Sequence, residues 1–219
     1  MIVQNVSQYQ RGWEEIKTMT HHKTTWLPQK TVKLAKSPAA AYQLKITLIG
    51  SEPPIWRRVL ISGDVSLGRL DRIIQAAMGW TNSHMHVFMV GKRHFGRPHP
   101  ELEHFEDEDA VCLRDVAPKA KVSFVYEYDT GDSWDHEVCI EKVDAAAAEF
   151  QGFPICLEGA RSCPPEDCGG IGGYIDFLAA VRDAKHPNHK DMMDWIGGSF
   201  DSEKFDLAHV NKALRKMKY

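Results

Sequence analysis

Three cysteines that lie close together are the clearest chemical feature of this sequence. Cys156, Cys163 and Cys168 fall within thirteen residues, in a stretch whose prolines and glycines allow tight reversal of the chain. Thiolates favour zinc, which takes four protein ligands in a structural site. The sequence therefore predicts a zinc site formed by these cysteines and His136, whose predicted strand leads into the segment that reaches Cys156.

The same cysteines fit two other arrangements. Free cysteines commonly pack as small apolar side chains, and two of the three could instead form a redox disulfide. Within the metal interpretation, the fourth ligand also has alternatives, namely His189, His186 and Cys139. Residue spacing alone leaves all of these arrangements open.

A second group of candidate residues combines histidines with carboxylates. His84 and His86 lie on one predicted strand, while Asp129 and Asp132 occupy a turn that precedes Trp134 on another. Because side chains alternate along a strand, the two histidines share one face. If that face points inward toward Trp134, these five residues would line a cleft suited to a metal ion or to acid–base catalysis.

His136 also has a purely structural interpretation. It follows Trp134 at a spacing of two residues, so both side chains share one face of a strand. Buried polar groups are usually hydrogen-bonded, and Asp129 or Asp132 could hold the imidazole and keep the hairpin closed. Between these aspartates lies Gly131, for which we expect a backbone conformation that disfavours a β-carbon.

The elements that must position these side chains follow from the apolar pattern. Ser66 is a suitable N-cap for a helix over Leu67–Met78, whose apolar residues recur at helical spacing, and Gly79 can end it. Two strands, this helix and three further strands predict an α+β fold, a mixed sheet crossed by one helix. The strands are predicted at Tyr42–Leu48, Ile55–Ile61, His84–Val90, Val122–Tyr128 and His136–Val143.

The chain divides into three predicted parts. Residues 1–40 form an N-terminal arm, either a solvated extension or a partner-binding segment anchored by Trp13 and Trp26, and residues 41–144 form the sheet core. Residues 145–219 combine a loop rich in Cys, Pro and Gly with helices that pack on the core. That loop is predicted to be irregular over Phe153–Gly173, and the acidic run Glu101–Asp109 is predicted to be a solvated loop. The C-terminal helices are predicted at Tyr174–Asp183, Lys190–Ile196 and Ser202–Met217.

Composition limits the class of protein. With 219 residues, of which 43% are hydrophobic and 26% charged, the chain has an ordinary globular composition. A net charge of -3 disfavours a protein whose main task is to hold nucleic-acid phosphates, so DNA is not an expected partner. No apolar run reaches the ~20 residues needed to cross a bilayer, and we expect no membrane association. Without a recognisable secretory signal, five cysteines indicate reduced thiols or metal ligands, and we expect a cytoplasmic protein.

Several separated motifs, which follow one another in a fixed order, resemble a known family. They are Pro54–Val59, Leu70–Trp80 with the following Ser83–His86, Tyr126–His136, and Cys163–Gly170. Together they are similar to the plasmid pRiA4b ORF-3-like proteins, also called TnpR-like passenger proteins of insertion elements, from about Tyr42 to the C-terminus. The resemblance implies an α+β roll-like fold and an association with mobile elements. It implies no established reaction.

Two classes of function are compatible with these observations. The sequence favours a non-enzymatic binding or accessory module with a structural zinc site and a macromolecular partner, because it contains no recognisable complete catalytic set. The alternative is a small metal-dependent or acid–base enzyme that uses His84, His136, Asp129 and Asp132. The two classes differ in whether these side chains meet in an open pocket or are buried and hydrogen-bonded to one another.

Overall fold

The described part of the chain comprises residues 40–98, 105–144, 150 and 152–217 of a computed structural model. Apart from its last residue, the predicted arm over residues 1–40 lies outside this part, so both interpretations of the arm stay predictions. The elements of the described part are β1 (Ala41–Leu48), β2 (Trp56–Ser62), α1 (Leu67–Met78), β3 (His86–Val90), β4 (Arg93–Gly96), β5 (Glu106–Asp107), α2 (Leu113–Val116), β6 (Ser123–Tyr128), β7 (Trp134–Asp144), β8 (Ile155–Ala160), α3 (Gly170–Arg182), α4 (His189–Trp195) and α5 (Leu207–Arg215).

These strands form one eight-stranded sheet in the order β5-β4-β3-β6-β7-β1-β2-β8. Neighbouring strands are antiparallel, except that β4 and β5 run parallel. The mixed sheet with its helices confirms the predicted α+β class. All five predicted strands are present, and their ends differ from the predicted ones by at most two residues.

Helix α1 has the predicted bounds. At its start the Ser66 hydroxyl accepts a hydrogen bond from the Arg69 amide, and at its end Gly79 has a φ of 122°. Burying an aliphatic side chain contributes about 1.5–3 kcal/mol, so the apolar stripe is what holds this helix in the core. The stripe is fully buried and consists of Leu67, Leu70, Ile73, Ile74 and Ala77.

A buried arginine on β2 fixes the end of α1. The Arg57 guanidinium donates through Nε to the Ala77 carbonyl at 2.9 Å and through Nη2 to the Met78 carbonyl at 3.4 Å. A cation at this position complements the negative end of the helix dipole. Arg58 faces the other side of the sheet and pairs with Glu141 at 2.7 Å, as strand alternation requires. Arg57 thereby determines where the chain leaves the helix toward the candidate site.

The eighth strand lies in the stretch for which the sequence predicted irregular structure. β8 pairs antiparallel with β2, so that prediction is wrong for Ile155–Ala160. The strand stands at the edge of the sheet, where unpaired backbone groups need other partners. Asn211 on α5 supplies them, because its carboxamide accepts from the Cys156 amide at 2.8 Å and donates to the Cys156 carbonyl at 2.9 Å. The strand therefore depends on a distant helix, which a local pattern does not reveal.

The remaining predictions are corrected in detail. All three C-terminal helices are present, but α3 begins earlier than predicted, at Gly170, and α5 begins later, at Leu207. Of the acidic run, residues 101–104 lie outside the described part. The remainder is not a simple solvated loop, because Glu106–Asp107 pair with β4 and the Glu108 side chain is buried. Among the described helices, none is long and apolar enough to span a membrane.

Candidate functional site

Three segments that are distant in sequence meet at one end of the sheet. They are the loop that follows α1, the turn between β6 and β7, and the loop between β8 and α3. Glu166, in the loop between β8 and α3, connects this loop to the one that follows α1. Its carboxylate accepts hydrogen bonds from the Thr81 amide at 2.7 Å and from the Thr81 hydroxyl at 2.8 Å. The Gly169 amide donates to the Asp132 carboxylate at 3.0 Å and so attaches the third segment to the turn. Three of the motifs that carry the family resemblance are therefore parts of one site.

His84 lies at the point where the three segments meet. Its Nδ1 is 3.3 Å from the Asp129 carboxylate. Its Nε2 is 3.1 Å from the Asp167 carboxylate and 3.5 Å from that of Glu166. Nε2 is buried, yet it makes no hydrogen bond, because neither carboxylate has a suitable orientation.

The backbone around His84 is held in conformations that most residues avoid. Asp129 and Asp167 both have a φ of 58°, and Ser133 has a φ of 54°. The Asp129 carboxylate accepts from the Gly131 amide at 2.9 Å, which stabilises the turn. The left-handed residues are Asp129 and Ser133, whereas Gly131 is not among the residues of positive φ, so the expectation for Gly131 is wrong. Such strained residues occur preferentially at functional sites.

These residues have the composition of a metal site. Within the described ranges, His84, Asp129 and Asp167 form the only group of three or more His, Cys, Asp or Glu residues whose ligand atoms all lie within 4.8 Å of one another. Neighbouring ligand atoms of a tetrahedral zinc ion lie about 3.4 Å apart, given bonds of about 2.1 Å. Because the two carboxylates face different ring nitrogens, one of them would have to turn toward the nitrogen that binds the ion.

An aromatic layer supports the site from below. The Trp80 ring stacks on Tyr128 at 5.1 Å and lies 5.3 Å from Trp134, while the edge of His84 meets Tyr128 at 5.8 Å. Burial raises the pKa of the Tyr128 phenol to about 12, so the phenol stays neutral and donates to Glu166 at 3.1 Å. The layer therefore positions both His84 and Glu166 from inside the core. Trp134, predicted to line the cleft, is fully buried in this layer.

His136 is a core residue and does not belong to this site. Its Nδ1 donates to the Tyr126 carbonyl at 3.2 Å, and its Nε2 accepts from the Trp80 indole at 3.3 Å. Burial lowers the pKa of the imidazole from 6.5 to about 4. The structural interpretation of His136 holds, but its partners are Tyr126 and Trp80 rather than Asp129 or Asp132. With both ring nitrogens used, it cannot act as the predicted fourth zinc ligand without breaking these bonds.

The structure does not bring the three cysteines together with His136 as a ligand set. Cys156 is buried on β8, where its thiol donates to the Glu158 carbonyl at 3.4 Å. Burial raises the pKa of the Cys168 thiol to about 12 and raises that of Cys163 well above its usual range. All three thiols are free. They pack against the core as small side chains, one of the alternatives that the spacing left open.

His86 belongs to a separate, buried cluster. Its Nδ1 is 3.2 Å from the Asp71 carboxylate on α1, and its Nε2 is 2.6 Å from the carboxylate of Glu108. The Tyr126 hydroxyl donates to Asp71 at 2.7 Å. Because the two carboxylates contact opposite ring nitrogens inside the core, the imidazole crosslinks α1, β3 and the segment after β5. His84 and His86 therefore do not share the predicted cleft.

The candidate site thus retains two of the five residues predicted for the cleft, His84 and Asp129. Asp132 supports it through the Gly169 amide but does not face the imidazole. The sequence alone did not place Asp167 and Glu166 beside His84. Their only mark in the sequence is that two carboxylates stand next to each other in a loop of Cys, Pro and Gly. This composition predicts a loop, but it does not predict which part of the protein the loop contacts.

Comparisons with known proteins bear on the family and the fold of this chain. The family described as Plasmid pRiA4b ORF-3-like protein matches residues 40–209. The chain is 38% identical over 179 residues to "Uncharacterized protein y4hQ" of Sinorhizobium fredii (strain NBRC 101917 / NGR234), covering 80% of this chain and 91% of that protein. A solved structure, "Crystal Structure of Protein of Unknown Function MM3350 from Methanosarcina mazei Go1", is 31% identical with a TM-score of 0.70, covering 78% of this chain and 97% of that one. The motifs, the fold and these matches lead to one conclusion: the chain belongs to the plasmid pRiA4b ORF-3-like family.

Proposed function

We propose that the protein is a binding module that holds a divalent cation, zinc or a similar first-row metal, through His84, Asp129 and Asp167. The observation that carries the proposal is the buried Nε2 of His84, which makes no hydrogen bond while two carboxylates lie within 3.5 Å. A buried polar atom without a partner is costly. An ion at Nε2 would give this nitrogen a partner and would neutralise the surrounding carboxylates. The Asp129 carboxylate lies 3.3 Å from the other ring nitrogen, Nδ1, so its free oxygen would have to turn toward this ion.

The surrounding contacts support an ordered ligand set. One oxygen of the Asp129 carboxylate is held by the Gly131 amide, and Glu166 is held by Thr81 and Tyr128. Glu166 lies 3.5 Å from Nε2, the nitrogen that would bind the ion, so it adds a fixed negative charge beside the ion. Oxygen and imidazole donors together suit zinc and neighbouring divalent metals better than soft monovalent ones.

The site supports binding better than catalysis. Three protein ligands leave at least one position of a tetrahedral ion for water or for a bound molecule, and the Asp167 side chain is 70% exposed. Of the set predicted for an enzyme, however, His136 is buried and hydrogen-bonded, and Asp132 is engaged with a backbone amide. A metal-dependent binding module is therefore the function we infer, and the remaining coordination position is where its ligand would enter.

Calorimetric titration of zinc into metal-free protein tests the proposal. We expect one ion per chain, and an affinity lower by at least about 10-fold in Asp129→Asn and Asp167→Asn and by more in His84→Gln. Asparagine keeps the turn acceptor and tolerates positive φ, so the aspartate variants should fold normally. His209→Gln, on an exposed face of α5, is the matched control and should bind zinc like the parent protein.

The same titration separates this site from the cysteine site that the sequence predicted. Cys168→Ser should leave zinc affinity unchanged if His84 carries the ion. Loss of zinc binding in Cys168→Ser with full binding in His84→Gln would overturn the proposal and restore the cysteine site.

Two finer predictions accompany this function. A cytoplasmic location is supported by the free thiols of the five cysteines, all of which lie in the described ranges. An association with mobile elements and with a macromolecular partner is supported by the family resemblance alone. Purification of the tagged protein from its host, followed by fractionation, would test the location and the partner together.

A further inference from the structure

An open cavity of about 540 Å³ lies between α3 and α4, beside the candidate site. Its volume is in the range of small-molecule sites. The residues that matter for its chemistry are Asp167, Asp176, Phe177, Ala180, Met192 and Trp195. Asp167 belongs both to this cavity and to the proposed cation site, so the two adjoin.

The apolar part of the cavity includes a half-exposed aromatic side chain beside a buried one. Phe177 is buried, whereas the Trp195 side chain is 47% exposed and meets Phe177 edge-on at 5.7 Å. Met192 and Ala180 complete the apolar lining. A half-exposed tryptophan beside a concave surface is typical of a recognition site.

The charge of the cavity has one sign. Asp167 and Asp176 contribute carboxylates, and the described lining contains neither lysine nor arginine. His186 also lines the cavity, and its Nδ1 accepts a hydrogen bond from the Asn188 amide at 3.2 Å. A cationic ligand would therefore meet two carboxylates and no lysine or arginine.

We propose that this cavity binds a small organic amine, a cationic ammonium group on an aromatic or aliphatic body. The ammonium group would lie near Asp176 and Asp167, and the body would pack on Trp195 and Phe177. Ion pairing at an exposed carboxylate contributes modestly, so two such pairs together favour the cation over a neutral analogue about 10-fold. This inference goes beyond the proposed metal binding and does not require it.

The test uses three probes of equal shape and different charge on the full-length, metal-free protein. Phenethylamine is the cation, 2-phenylethanol the neutral analogue and phenylacetate the anion. The Trp195 indole signal is followed by NMR during each titration. We expect saturable phenethylamine binding with a Kd of about 1–10 mM, a range suited to a ligand of this size, and binding at least about 10-fold weaker for the other two probes.

Two variants and one control assign the effect to the cavity. Asp176→Asn should weaken phenethylamine binding about threefold and leave 2-phenylethanol unchanged, whereas Trp195→Leu, followed by other cavity signals, should weaken both. Asp191→Asn removes an exposed carboxylate of α4 that does not line the cavity, and it should change nothing.

Equal affinity for the alcohol, tighter binding of phenylacetate, or no saturation at 50 mM phenethylamine would each overturn the proposal. Because chelator-treated protein is used, failure of the metal site leaves this outcome unaffected. Adding zinc afterwards provides a second readout. An ion on Asp167 would remove part of the negative charge and should weaken amine binding, and the amine should weaken zinc binding by the same factor.

Discussion

The protonation of His136 gives the sharpest prediction for the folded core. Its imidazole is fully buried, is neutral, and uses both ring nitrogens in hydrogen bonds to Tyr126 and Trp80. A second proton would lie on Nε2, directly opposite the Trp80 N–H donor, on a fully buried ring. His136→Gln removes the titrating group while keeping a side chain that can donate and accept.

The magnitude follows from the difference in pKa between the folded and unfolded chain. The folded pKa of His136 is about 4, against 6.5 for an ordinary histidine. Below pH 6.5 His136 is therefore protonated in the unfolded chain while it stays neutral in the folded protein. The contribution of His136 to the free energy of unfolding is present above pH 6.5 and is lost as the pH falls toward 4. Between pH 7 and pH 5 this difference removes about 2 kcal/mol of the free energy of unfolding.

Urea unfolding followed by tryptophan fluorescence at pH 7 and pH 5 measures this contribution. The free energy of unfolding of the parent protein should fall between the two pH values by about 2 kcal/mol more than that of His136→Gln. Comparing the two proteins cancels the other groups that titrate in this interval. The control His209→Gln should behave like the parent. An identical pH dependence in all three proteins would refute the assignment of His136 as a buried neutral imidazole.

Three further predictions concern stability in urea unfolding. Gly173→Ala should lower the free energy of unfolding by about 2 kcal/mol or more, because its Cβ would lie 1.8 Å from the Cys168 carbonyl oxygen. The matched control is Gly172→Ala, whose Cβ would meet no atom within 4 Å, and it should leave the stability unchanged or raise it. Asn211→Ala should cost about 1–2 kcal/mol because both backbone groups of Cys156 lose their partner; an unchanged stability would show that this edge of the sheet needs no cover. Asp135→Asn should gain about 1–2 kcal/mol at pH 8 and less at pH 4, because burial raises the pKa of this partly buried carboxyl from 3.8 to about 6 and so penalises its charge; a gain independent of pH would contradict this cause.

Local periodicity was enough to predict the main elements of the fold. Helix α1 carries a complete apolar stripe between a serine cap and a glycine, and the five predicted strands alternate or run apolar over at least five residues. The three missed strands lack such a signal. β4 and β5 have four and two residues, and β8 is ordered through contacts with β2 and Asn211. Their pairing depends on residues far away in sequence.

The candidate site could be predicted only in part for the same reason. His84 and Asp129 stand at the ends of strands, where alternation and turn chemistry are informative. Asp167 reaches His84 only because the loop between β8 and α3 docks on the turn, through the contacts of Glu166 and Gly169. Strand alternation also predicted the same face, and so the same surroundings, for His84 and His86. In the structure His86 is buried between two carboxylates, whereas His84 contacts the loop between β8 and α3.

The loop of Cys, Pro and Gly between β8 and α3 brings the carboxylates of Glu166 and Asp167 close to the turn between β6 and β7. An added Cβ on Gly170 would lie 2.4 Å from the Asp132 carbonyl, so only glycine lets the loop approach the turn this closely. Cys163 and Cys168 pack against the core, and burial raises the pKa of both thiols. The carboxylates of this loop are those of Asp167, whose side chain is exposed, and of Glu166, whose side chain is partly buried. We therefore assign the proposed metal binding to the carboxylates between these cysteines, and the metal titration tests this assignment by comparing His84→Gln with Cys168→Ser.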